Sequence, residues 1–175
     1  NAYTSFLAPP ITYQIDGIQY VAILAGTGGG DLFGGESNNL ASMTYGNFGK
    51  LLVFKLDGKA ELPVPTALDR SIPEQPASDA SAEDIARGDH VYHANCAVCH
   101  GFMARSSGVV PDLRMTNATR HGLYKEIVLG GMLSGTGMAS FADLVDAADV
   151  EKLQAYVIKR ANDDRATAAA SAGGE

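Results

Sequence analysis

The sequence predicts a β fragment followed by an all-α domain, and three observations carry that prediction. Ten of the 20 glycines fall in residues 1–62, where apolar and polar residues alternate in short runs. Four of the seven prolines cluster in residues 63–76. From residue 81 onward apolar residues recur at intervals of three and four, the period of one helix face. The expected organisation is therefore a β-rich segment at 1–62, a Pro-rich linker at 63–80 and a helical domain at 81–162. A mobile tail of Ala, Ser and Gly is expected at 163–175.

The β-rich segment opens on a hairpin. Ile11, Tyr13 and Ile15 alternate with polar residues, Asp16-Gly17 supplies a type I′ turn, and Ile18 to Leu24 runs back. A Gly-dense loop, Gly26 to Gly35, precedes a third strand from Lys50 to Leu56 that ends at Asp57-Gly58. Three strands with no covering helix do not bury both faces of a sheet. The segment reads as part of a larger β-structure, completed by another chain or by a missing part of the same one. The alternative is a small hairpin appendage packed on the helical domain.

In the helical domain, Ser81 with Asp84 forms a capping-box pattern ahead of Ile85, Gly88, Val91 and Tyr92. A second helix is expected from Thr119 or Arg120 to Leu129, burying Leu123, Ile127 and Val128 and stopped by Gly130-Gly131. The last helix starts near Asp146 and carries Val150, Leu153, Tyr156 and Val157 on one side. Gly88 lies mid-helix, where it costs ~1 kcal/mol against Ala. Its presence predicts a close helix crossing, with the Tyr156 face as partner.

Composition limits the function classes. At 175 residues, 46% apolar and 19% charged, the chain is globular rather than disordered or fibrous. Thirteen basic against 20 acidic residues give −7, spread over connecting and terminal segments, which argues against a nucleic-acid partner and a polybasic membrane contact. No apolar run approaches the ~20 residues of a membrane span. The start at Asn1, without Met or a secretory pattern, is expected of a processed or trimmed product.

Chemistry concentrates at Cys96-Ala97-Val98-Cys99-His100, a C-x-x-C-H run, the attachment signature of c-type haem. Two thiols one helical turn apart reach the two vinyl groups of one porphyrin edge, and the next residue brings an imidazole under the iron. A thioredoxin-like redox pair would want a βαβ context, which is absent. A zinc site would want further ligands, and His90 and His93 keep that alternative open by count. For a sixth iron ligand the favoured residue is Met138, in the short Gly-rich loop Gly135-Thr136-Gly137-Met138-Ala139-Ser140-Phe141, with Phe141 sealing the pocket. Met132, Met115 and Met103 are its rivals, and His121 falls at the start of a helix. Met/His ligation raises a reduction potential, which suits an electron acceptor. A backbone carbonyl near Pro111 is placed to accept the Nδ1 proton of His100. Arg114 is either a partner for a haem propionate or a solvated surface arginine. Ser134, Ser140, His121 and Asp143 form no hydrolytic pattern, and Gly26 to Gly30 lacks the following helix of a phosphate loop.

With Cys96 to His100, Gly108-Val-Val-Pro-Asp-Leu-Arg114 and Gly137-Met138-Ala139-Ser140-Phe141 in hand, residues 81–162 resemble a class I cytochrome c domain. Ala8-Pro9-Pro10-Ile11-Thr12-Tyr13, Ile15-Asp16-Gly17, Gln19-Tyr20-Val21-Ala22 and Leu24-Ala25-Gly26 resemble the end of the propeller in quinohaemoprotein alcohol dehydrogenases. Leu51 to Gly58 looks like the closing strand before their haem domain. The fold class implied is the last strands of a β-propeller followed by a class I cytochrome c helical domain. The resemblance implies haem c in this chain, on Cys96, Cys99, His100 and Met138. It implies an eight-bladed propeller binding pyrroloquinoline quinone (PQQ) and calcium in the portion preceding it.

The implied partners are that rest of the propeller, an alcohol or aldehyde substrate and an external electron acceptor. The implied location is the periplasm. The family's catalytic aspartate lies outside this chain, so no catalytic residue is assigned here. The family often has Trp after Leu-Ala-Gly where this sequence has Thr27, and the chain contains no Trp. Two other functions are weighed against this one. The first is a free-standing cytochrome c carrier, for which residues 81–162 suffice. The second is an interaction subunit with haem as a fold staple.

Overall fold

The computed structural model describes residues 1–26, 40–46, 48–106 and 110–173. Most of the Gly-dense loop, Thr27 included, and Gly108-Val109 lie outside the described residues. The chain divides into two compact units, residues 1–69 with 106–110, and residues 70–105 with 111–175.

The first unit is built on a three-stranded antiparallel sheet in the order β1-β2-β3, with β1 Ile11–Ile15, β2 Ile18–Ala25 and β3 Lys50–Lys55. The β1–β2 register runs from Ile11 opposite Ala22 to Ile15 opposite Ile18. That register needs two residues of positive φ at the tip, and Asp16 (52°) and Gly17 (79°) supply them, as a type I′ turn requires. A five-residue helix, α1 (Ala41–Tyr45), precedes β3 and has no counterpart in the sequence reading. Beyond β3 the chain returns to it, where Leu68 N donates to Thr44 O at 2.8 Å. Among the described residues, the only buried apolar side chains of this unit are those of Ala2, Ala22 and Ala25. Ile11, Ile15, Ile18, Leu24, Leu51, Val53 and Phe54 are exposed. Side chains alternate across a strand, so Val53 and Phe54 expose apolar surface on both faces of β3.

The second unit is helical. Its scaffold is a crossing of α2 (Ala82–Asn95) and α6 (Ala147–Ala172). Ser81 caps α2 in a full capping box, with its hydroxyl accepting from Asp84 N and the Asp84 carboxylate accepting from Ser81 N. Asp146 caps α6, accepting from Asp149 N at 2.8 Å. Gly88 is the crossing point, because a Cβ there would run into the Lys152 carbonyl oxygen and come within 3.0 Å of Tyr156 Cβ. Val91, Tyr92, Val150, Leu153, Tyr156 and Val157 form the centre of the core. Arg87 makes a two-pronged ion pair with Asp149 at 2.6 and 2.8 Å on the rim of the crossing.

Two expectations need correcting. The helix expected from 119–120 to 129 is two short helices, α4 (Ala118–Gly122) and α5 (Tyr124–Val128), broken at Leu123. The tightened bond from Leu123 N to Arg120 O ends α4, and the break turns the face by a residue. Tyr124 and Val128 are therefore buried while Leu123 is exposed. The tail expected at 163–175 is instead helical as far as Ala172. Alanine-rich sequence extends a helix readily once it is nucleated, and Asp164 in that stretch is tied to three arginines.

Candidate haem site

The C-x-x-C-H run occupies the end of α2 and a single further turn, α3 (Ala97–His100). Cys96 O accepts from both Cys99 N (3.1 Å) and His100 N (2.9 Å), so the two cysteines sit one helical turn apart with the histidine following. No disulfide joins them, Cys99 is exposed and Cys96 half-buried. Burial, with Cys99 beside it, pushes the Cys96 thiol up to about 12. A raised pKa disfavours the thiolate that a disulfide-exchange nucleophile needs, so Cys96 is poorly suited to that role.

Two hydrogen bonds fix this turn from outside it. His100 is buried, and its Nδ1 lies 2.9 Å from Pro111 O. A carbonyl only accepts, so Nδ1 carries the proton and Nε2 keeps its lone pair. Burial lowers the His100 pKa, against the pull of the Pro111 bond and of Asp112, so the ring is held neutral. Immediately after it, Gly101 O accepts from Tyr92 Oη at 2.6 Å. Tyr92 is completely buried, which raises its pKa and keeps that donor protonated. Sequence reasoning placed Tyr92 only on an apolar face, because nothing local indicates where its hydroxyl goes.

Met138 follows a tight turn at Ser134–Thr136 and Gly137 (φ 100°). It is half-buried and packs, as Cys96 does, against the helical core. The loop is held to α5 by Phe141 N donating to Val128 O (2.8 Å) and Ser140 Oγ to Leu129 O (2.6 Å). Among its rivals Met132 is exposed. His121 has both ring nitrogens engaged, Nε2 with Gln75 Oε1 at 3.1 Å and Nδ1 with Gln154 Nε2 at 3.2 Å. It has no nitrogen to offer a metal.

Arg114 is not a solvated surface arginine. It is 8% exposed, and Asp112 takes its Nε (3.0 Å) and Nη2 (2.6 Å) while Asp164 takes Nη1 (2.9 Å). The zinc alternative finds no support in the donors. Among the described residues no group of three or more His, Cys, Asp or Glu side chains gathers as a metal site. His93 pairs instead with Asp89 at 2.8 Å and packs against Tyr92, Phe102 and Tyr156. Two reduced thiols one turn apart, and an imidazole whose tautomer leaves Nε2 open, fit covalent haem.

Comparison with known proteins places this geometry. Residues 83–157 match the family described as "Cytochrome C oxidase, cbb3-type, subunit III". The chain is 41% identical over 166 residues to quinohemoprotein alcohol dehydrogenase ADH IIB of Pseudomonas putida, covering 94% of this chain and 24% of that protein. It is 37% identical over 163 residues to ADH-IIG of the same species, covering 93% and 22%. A solved structure of quinohemoprotein alcohol dehydrogenase ADHIIG from Pseudomonas putida HK5 superposes with a TM-score of 0.72 at 33% identity, over 93% of this chain and 23% of that one. The chain spans less than a quarter of the length of these relatives. In sequence and fold alike, it matches the C-terminal, cytochrome c part of the quinohaemoprotein alcohol dehydrogenases.

Proposed function

We propose that this chain is the electron-accepting haem portion of a PQQ-dependent alcohol dehydrogenase. Residues 1–62 supply the last strands of a β-propeller, 63–80 a linker and the region from 81 onward the cytochrome domain. The observation that carries the reading is the pairing of an oriented C-x-x-C-H turn with a sheet that buries only alanines of its own. Apolar strands exposed on both faces call for further β-structure, and the relatives are some four times longer than this chain.

Bound haem would supply a one-electron iron couple. Cys96 and Cys99 would attach it covalently, and His100 Nε2 and the Met138 thioether would be its iron ligands. The Pro111 carbonyl holds the His100 ring in one tautomer and strengthens it as a ligand. Oxidation of an alcohol to a carbonyl compound releases two protons and two electrons. PQQ and calcium, held in the rest of the propeller, would supply the chemistry of that oxidation. The chain takes the electrons singly and passes them to an external acceptor. Covalent haem attachment, which takes place outside the cytoplasmic membrane, supports a periplasmic location. No helix among the described residues is long and apolar enough to cross a membrane.

The test uses the whole assembly with PQQ and calcium present. Primary and secondary alcohols and aldehydes are supplied without a mediator, and the haem spectrum is followed. Reduction by at least one of them is the expected result. Failure of all of them, together with a native mass equal to this chain plus one haem, would leave a free-standing electron carrier.

A further inference from the structure

Asp164 lies in the stretch of α6 beyond the expected end of the domain, and it is tied into more charge than any other carboxylate described. Its Oδ1 accepts from Arg105 Nη2 (2.8 Å) and Arg160 Nη2 (3.1 Å). Its Oδ2 accepts from Arg105 Nε (3.2 Å) and Arg114 Nη1 (2.9 Å). The carboxylate is mostly buried, with 11% of the side chain exposed. Burial raises its pKa, but the Arg105 and Arg114 bonds outweigh that and hold it ionised. Arg114 in turn grips both oxygens of Asp112, which is also nearly sealed from solvent. Asp112 directly follows Pro111, the residue whose carbonyl orients His100.

Charged hydrogen bonds therefore link Asp164 to Arg114 and Arg114 to Asp112, the peptide bond joins Asp112 to Pro111, and the Pro111 carbonyl accepts from His100 Nδ1. Asp164 thus binds both Arg105 and Arg114, the latter three residues after Pro111. Two-pronged arginine–carboxylate contacts fix orientation as well as distance. Such support around a metal-binding histidine sets its orientation and basicity.

We propose that Asp164 is a positioning residue for the axial histidine, holding the Pro111 carbonyl on His100 Nδ1 through Arg114 and Asp112. The proposal rests on the haem reading above. The ion-pair partners of Asp164 are Arg105, Arg114 and Arg160, and none of the residues that would hold the haem is among them. It acts on how firmly the imidazole is held and how strongly it donates to iron.

The experiment uses the haem-loaded full chain. Asp164→Asn keeps the shape and removes the charge. Asp163→Asn removes the same charge one residue away, at a side chain 44% exposed. Two quantities are read, the midpoint potential and the rate at which the His100 Nδ1 proton exchanges with D2O. For Asp164→Asn, exchange should accelerate about tenfold, the factor that a loss of about 1.4 kcal/mol of hydrogen-bond support gives. The potential should shift upward, since a less firmly bonded imidazole donates less to oxidised iron. Asp163→Asn should leave exchange unchanged, and Asp164→Glu should recover most of the wild-type rate. If Asp164→Asn does not fold, Arg114→Lys carries the same test, since it keeps the charge and loses the fork.

Unchanged exchange and potential, with only a lower unfolding temperature, would make Asp164 a plain structural contact and overturn the proposal while leaving the haem reading intact. Equal effects from Asp163→Asn would also overturn it, assigning the shift to net charge. Absence of covalent haem in the wild-type chain would overturn both.

Discussion

The helical unit buries two histidines and uses them in opposite ways. His100 spends one ring nitrogen on the Pro111 carbonyl and keeps the other for a ligand, whereas His121 spends both on glutamine side chains. Gln154 donates to His121 Nδ1, so His121 is neutral with its proton on Nε2, and burial lowers its pKa from the ordinary 6.5. The sign for stability follows. On acidification the unfolded chain takes up this proton before the folded one does, so stability falls as pH drops below about 6.5 and is unaffected above it. Ionised Asp149 and Asp164, held below 3.8, lose their contributions only at lower pH. His100 has the same sign as His121, but ligation of its Nε2 would remove its titration in haem-loaded protein. Thermal unfolding of that protein between pH 8 and 5 should show a falling midpoint, and His121→Gln should flatten the slope. An unchanged slope in the variant would assign the effect to another group. Gly88 gives a second prediction at this scale. Exposed mid-helix glycine gains ~1 kcal/mol on replacement by alanine, but here the added methyl meets the Lys152 carbonyl and Tyr156. Gly88→Ala should therefore cost about 1–3 kcal/mol in chemical denaturation, as an overpacked site does.

Among the elements, α6 shows most clearly what was legible and what was not. Its start was readable because the signal is local: Asp146 precedes the helix and accepts from Asp149 N. Asp146→Ala should cost about 1 kcal/mol, read as a lower denaturation midpoint. The α2 cap, the hairpin turn at Asp16-Gly17 and the C-x-x-C-H turn were readable for the same reason, since each is complete within five residues. The break between α4 and α5 was not readable, because Gly122 and Leu123 are compatible with a continuous helix until Tyr124 takes the core position. The end of α6, at Ala172, is not legible from composition. Ala, Ser and Gly suggest a flexible tail, yet what orders it are bonds from Asp164 to Arg105 and Arg114, 59 and 50 residues away in sequence. Truncation after Asn162 tests this. A mobile tail would be removed without effect. Loss of Asp164 leaves the nearly buried Arg114 short of a partner and should cost about 2 kcal/mol of stability.

For the molecule as a whole, the two units differ in what they bury, and that difference is measurable. The second unit encloses Val91, Tyr92, Tyr124, Val128, Val150, Leu153, Tyr156 and Val157 in one core. Full burial of a large apolar side chain contributes about 1.5–3 kcal/mol, and all eight of these side chains are buried. The first unit buries only Ala2, Ala22 and Ala25 among its described apolar residues, and alanine has a single methyl to remove from water. Its hairpin and third strand are hydrogen-bonded in a clean register, but backbone pairing contributes little net stability without a packed face. The two units should therefore separate when expressed apart. Residues 70–175, with a haem-attachment system, should yield a cooperatively unfolding protein carrying one covalent haem. Residues 1–69 alone should give a poorly dispersed amide spectrum and no cooperative thermal transition. A well-dispersed spectrum with a cooperative melt from 1–69 would show that the sheet closes on itself, and would remove the main reason for supplying it with the rest of a propeller. Recovery of its strand signals only when the preceding propeller portion is co-expressed would tie the exposed Ile11, Ile15, Ile18, Leu24, Leu51, Val53 and Phe54 to that portion as their covering partner.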